Sequence, residues 1–159
     1  MTTTTLNKTT IETTWTAQKI QEETARVLAM QWMTAYQLLS KAGEQYAQEF
    51  ETTLRQNKVE QYKKLGVKTP IDLVKAMAEF EANLFGSKIE IFGDESKACL
   101  TYNQCGMWNA MQKMGKMTPE QEEKMGHHFQ NCVSNLAKEF GFKGEVKFEE
   151  PCATVTFTK

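Results

Sequence analysis

With 159 residues the chain has the size of one ordinary domain, and 19 Lys and Arg against 20 Asp and Glu leave a formal net charge of -1. No global positive field draws such a protein to nucleic acid or anionic lipid, and no apolar run reaches the roughly 18 to 20 residues of a membrane span, so neither partner is expected. Residues 1–14 are threonine-rich and lack the apolar run of a secretory signal, which predicts a cytoplasmic protein. In that reducing setting Cys99, Cys105, Cys132 and Cys152 are expected as thiols, ligands or nucleophiles rather than disulfides.

In chain order, residues 1–14 form a disordered leader and residues 15–159 a single α+β domain. From Trp15 to Leu65 the residues Ile20, Val27, Leu28, Leu39, Tyr46, Phe50, Leu54, Tyr62 and Leu65 recur mostly at three, four or seven, which predicts a long amphipathic helix. Gly43 lies inside this run, so it is one kinked helix or two joined ones. Thr69, Pro70 and Asp72 supply an N-cap, a first-position proline and a first-turn carboxylate for a further helix that Gly86 ends.

The period then changes to two. Lys88, Ile89, Glu90 and Ile91 alternate, Gly93 and Asp94 turn, and Ala98, Leu100 and Tyr102 alternate back as a hairpin. Residues 105–114 form a short helix, and Thr118, Pro119 and Gln121 open a longer one that runs to Phe140. Val146 and Phe148, a turn at Glu149, Glu150 and Pro151, and Val155 and Phe157 make a second hairpin. The expected order is α-α-β-β-α-α-β-β, with both hairpins joined in a four-stranded antiparallel sheet under the helices, because hairpins of this length are not stable alone.

The candidate chemistry lies in the second half. His128 and Cys132 stand four apart on one helix face, a spacing that suits two ligands of one metal. Cys105 sits at the predicted N-terminus of the short helix, where the macrodipole and free amides favour a thiolate, which makes it a candidate nucleophile with a lowered pKa. Cys152 begins the last strand, at the sheet rim. Against these stands the common behaviour of unpaired cysteine as a small buried hydrophobe, the preferred reading for Cys99 inside a strand.

His127 projects away from His128 and is expected in solvent. Met107, Met111 and Met114 form a helical stripe beside Trp108, read as a flexible apolar pocket wall before a soft-metal site. Trp32, Tyr36 and Tyr46 are read as core or dimer contacts first and ligand contacts second. Dinucleotide, P-loop and zinc-protease motifs are missing, and the two adjacent histidines leave little room for a Ser-His-Asp arrangement.

The run Cys105-Gly106-Met107-Trp108-Asn109-Ala110-Met111-Gln112-Lys113-Met114-Gly115, then Cys132 in a helix, then Gly144 to Cys152 leading into an alternating strand, resembles the L-2-amino-thiazoline-4-carboxylic acid hydrolase-like family and the related 4-vinyl-reductase-type ligand-binding domains. The resemblance covers about residues 88–158. It implies helices packed on a small antiparallel sheet, Cys105, Cys132 and Cys152 at the family's recurring cysteines, and a site between the short helix and the sheet rim. Where relatives place a Gly-Asp turn before the last cysteine, this chain has Glu149, Glu150 and Pro151.

Three functions follow as expectations. The first is a small-molecule-binding domain with a cysteine-centred site, whose enzymatic version hydrolyses a cyclic C–N or C–S bond. There Cys105 is the nucleophile or acid-base group and His128 assists proton transfer; Cys132, Cys152, Trp108, Met111 and Tyr102 contact the ligand. In the second, Cys105, His128, Cys132 and Cys152 converge on a transition metal such as zinc or iron. The third is a non-catalytic ligand-binding module that forms a homodimer through its N-terminal helix.

Overall fold

The computed structural model describes residues 12–115, 117–149 and 152–159. Most of the expected leader therefore lies outside the described residues, as do Glu150 and Pro151 of the last turn. Thr16 caps α1 (Ala17–Ala42), its Oγ1 accepting the Lys19 N–H at 3.2 Å. Gly43 then adopts φ 151° and ψ 142°, a backbone that L side chains rarely enter, and divides the long run into α1 and α2 (Glu44–Lys64). Three helices therefore precede the first hairpin, rather than two elements.

α3 (Pro70–Phe85) opens on a reciprocal cap in which Thr69 Oγ1 accepts the Asp72 N–H and Asp72 Oδ2 accepts the Thr69 N–H. It stops at Gly86 in the left-handed conformation. β1 (Lys88–Gly93) and β2 (Lys97–Gln104) turn about Asp94, whose Oδ1 accepts hydrogen bonds from the Ser96 and Lys97 amides and the Ser96 hydroxyl. α4 (Gly106–Met114), α5 (Pro119–Lys138), β3 (Lys143–Glu149) and β4 (Cys152–Thr158) complete the chain. α5 carries the expected capping box, Thr118 with Gln121.

The strands form one antiparallel sheet in the order β1-β2-β4-β3. This is the expected α+β class. The two hairpins join through β2 and β4, with Leu100 opposite Val155 and Tyr102 opposite Ala153. Alternation then sorts the side chains by face. Ala98, Leu100, Tyr102, Ala153, Val155 and Phe157 are buried, and except for Ala153 all belong to one core with Leu73, Val74 and Met77 of α3 and Val133, Leu136 and Ala137 of α5. α3 packs on β1 and β2, and α5 on β3.

The other face is polar. Thr101 and Thr154 hydroxyls pair across the central strands at 3.1 Å, and Cys99 Sγ lies 3.4 Å from Thr156 Oγ1, so Cys99 is the buried strand cysteine that its position predicted. Lys143 with Glu145 and Lys147 with Glu149 form exposed ion pairs along β3.

α1 lies outside this pair of layers and packs against α2, α3 and α4 of its own chain, burying Ala25 and Ala29 against Ala110 of α4. No helix of the described residues is long and apolar enough to cross a membrane.

Candidate functional site

β2 and β3 finish, and β4 begins, at the same end of the sheet, where Tyr102, Phe148 and Ala153 stand side by side. Over that end lies a cavity of about 720 Å³ between the sheet and helices α4 and α5, with Trp32 of α1, Lys58 of α2 and Glu81 of α3 reaching its wall. Cys105 is positioned there because it caps α4: its Sγ accepts the Trp108 N–H at 3.4 Å. Cys152 enters as the first residue of β4, and Cys132 and His128 project from α5, one turn apart.

Every expected site residue lines this one cavity: Cys105, Cys132, Cys152, His128, Tyr102, Trp108 and Met111. Met107 joins them, whereas Met114 lies exposed outside the lining. Met107 and Met111 also pack on Ala25 and Ala29 of α1, so the methionine stripe serves as both interhelical packing and cavity wall. His127 is exposed as expected, at the mouth, with Nε2 3.7 Å from Glu123.

The electrostatics correct one expectation. Cys105 was expected to carry a lowered pKa, yet burial pushes its thiol up to about 11. The amides of Trp108 and Met107 pull it down by hydrogen bonding, but loss of solvent outweighs them, and nearby Glu81 and Cys152 push it further up. A short helix end supplies only part of a charge, and here it stands in a wall that excludes water. Burial also raises the Cys152 thiol, against a hydrogen bond from the Cys105 amide.

Alkylation should register this. At pH 7 the thiolate fraction of Cys105 falls about 100-fold below that of an ordinary thiol, and the greater nucleophilicity of a more basic thiolate returns about tenfold. Iodoacetamide is therefore expected to label Cys105 about tenfold or more slowly than exposed Cys132 in the same sample, read by peptide mapping over time. Equal rates would overturn the raised value.

The described residues give the metal expectation no support. Cys105, His128, Cys132 and Cys152 share a cavity without forming a coordination set, and among the described residues no group of three or more His, Cys, Asp or Glu is placed to hold a metal ion. His128 is committed elsewhere: Nδ1 lies 3.2 Å from Glu51 of α2, and the ring packs on Trp32 and Tyr36, with centroids 5.2 and 5.8 Å away. Those contacts hold the imidazole against α1 and α2.

Glu81 is the site residue that sequence reading passed over. Burial raises its pKa, with Lys58 and a hydrogen bond from Ser87 pulling the other way. Ser87 Oγ accepts the Gly106 N–H at 3.0 Å, which commits the hydroxyl proton to Glu81 Oε2 at 3.2 Å. This relay ties the start of α4 to the carboxylate. Tyr102 is buried behind it, its hydroxyl pushed well above the usual range by burial first and then by the charges of Glu81, Cys105, Tyr62 and Cys152. The signal for Glu81 was available: Leu73, Met77 and Glu81 follow at intervals of four, so a carboxylate stands where the helix presents its core face.

Set against models of known protein families and against curated proteins, the chain matches neither a family model nor a curated protein.

Proposed function

We propose that this domain binds a small molecule with a substantial apolar body in the cavity between the sheet and helices α4 and α5. The observation that carries the reading is the wall itself. A space of about 720 Å³ is bounded by Trp32, Trp108, Met107, Met111, Phe129 and Phe148, interrupted by a few polar side chains, Glu81 and Lys58 among them. Ligand sites typically combine a cleft of about 300 to 1,000 Å³ with mainly apolar lining and few convergent polar groups. The three cysteines singled out by the family resemblance lie on the same wall, which supports a ligand site of that kind. A hydrolytic step through Cys105 would require a thiolate, and burial keeps that thiol protonated near neutral pH; the binding reading needs no such step.

N-phenyl-1-naphthylamine, a neutral dye whose fluorescence rises in apolar surroundings, tests the proposal. Saturable uptake at one site per chain is expected. Cys132→Trp places an indole at an exposed position on the lining and should abolish uptake while leaving the unfolding midpoint near that of the parent. No saturable uptake by the parent protein, or undiminished uptake by the folded variant, would overturn the reading.

A further inference from the structure

Four observations concern what the cavity would select. The first is charge: among the described residues, Glu81, Glu122 and Glu123 line it against one lysine, Lys58. Glu122 and Glu123 are exposed on α5 at the mouth, where carboxylates raise the local concentration of an approaching cation. The second is the state of Glu81. Its Oε2 takes the Ser87 hydroxyl, and none of the ion pairs among the described residues includes it, so Lys58 acts on it only from a distance. A desolvated carboxylate without a contact cation is costly, and a ligand that brings the missing charge recovers that cost.

The third observation is the chemistry of the walls. Indole and phenyl faces from Trp32, Trp108, Phe129 and Phe148 are supplemented by the polarisable sulfurs of Met107 and Met111. Aromatic faces attract organic cations, more strongly as water is excluded. The fourth is Tyr102: only 4% exposed, it lines the cavity, where its hydroxyl can donate to or accept from a polar group on whatever fills the space.

We propose that the cavity takes a lipophilic organic cation, its protonated amine set against the Glu81 carboxylate and beside the Tyr102 hydroxyl, its apolar body against the aromatic and methionine walls. This inference rests on the small-molecule reading above and narrows it to one ligand class. A carboxylate ligand of the same length meets Glu81 and the acidic mouth with the wrong sign, and a neutral alcohol leaves the half-buried carboxylate without a counter-charge.

Three probes of one chain length, decylamine, decanol and decanoate, separate these cases when each is used below its micellar concentration to displace the naphthylamine dye at pH 7. Decylamine is expected to bind about tenfold or more tightly than decanol, the size of one desolvated cation contact, with decanoate weakest. Glu81→Gln should remove most of the amine's advantage over decanol. Should that variant fail to fold, the ranking on the parent protein decides alone. Decanoate binding as tightly as decylamine, equal binding by all three, or an undiminished amine preference in folded Glu81→Gln would each overturn the ligand class while the dye result still stands. Absence of dye uptake would instead bring down the underlying reading.

Discussion

Gly106→Ala is expected to remove about 3 kcal/mol or more of stability, at or beyond the top of the usual range for overpacking, and to impair dye uptake with it. A Cβ on residue 106 would overlap the Phe85 carbonyl oxygen and stand 2.8 Å from its carbon. Both are backbone atoms of the last turn of α3, so no rotamer change relieves the contact. Moving α4 away also breaks the Gly106 N–H bond to Ser87 Oγ, and through it the placement of Glu81. Denaturant unfolding measures the loss. Gly115→Ala is the control, since nothing among the described residues lies within 4 Å of its Cβ and its φ of 164° is extended backbone open to any residue. It should stay within about 0.5 kcal/mol of the parent. A Gly106→Ala protein as stable as this control would show that α4 does not dock on α3 as described.

Phe157→Ala is expected to cost about 3 to 5 kcal/mol, by lost burial and by the cavity left behind. Phe157 is fully buried on central strand β4, opposite Ala98 on one side and Gly144 on the other. Those small neighbours leave room for the ring and cannot fill the space once it is gone. Against a net stability of roughly 5 to 15 kcal/mol for a typical domain, the loss is a large fraction of the whole. Phe157 lies toward the end of the sheet away from the cavity, so dye affinity should persist under conditions where the variant remains folded. Thr156→Ala, one residue away on the polar face, loses one partner of Cys99 and should cost no more than about 1.5 kcal/mol. Equal midpoint shifts for the two variants would contradict the assignment of faces.

The period-two alternation of Ala153, Val155 and Phe157 and the spacing of Leu73, Met77 and Glu81 were plain in the linear chain, because local periodicity records which face of an element is buried. Capping at Thr69 and Thr118 was equally legible, since it involves groups three residues apart. Gly43 showed that a break was available without showing which form it takes. That depended on the φ of 151° required for α1 and α2 to pack.

The cavity was partly legible. Cysteines distant along the chain were expected around a common space, and Cys105, Cys132 and Cys152 do line one. The thiol's ionisation was misjudged because a helix N-terminus is visible in sequence whereas the exclusion of water around it is not; burial raises Cys105 to about 11 despite two amides. His128 is held by Glu51, Trp32 and Tyr36, from two helices of the first half of the chain.

What the amino-acid order determined by itself was the set of elements, their buried faces, the joining of two hairpins into one sheet and the identity of the thiol-bearing positions. Only the tertiary structure decided that Glu81 meets those positions without a contact cation and that their thiols are held protonated. Periodicity and capping act between residues within a turn or two of each other, while desolvation and charge pairing depend on neighbours that the folded chain brings from anywhere along its length.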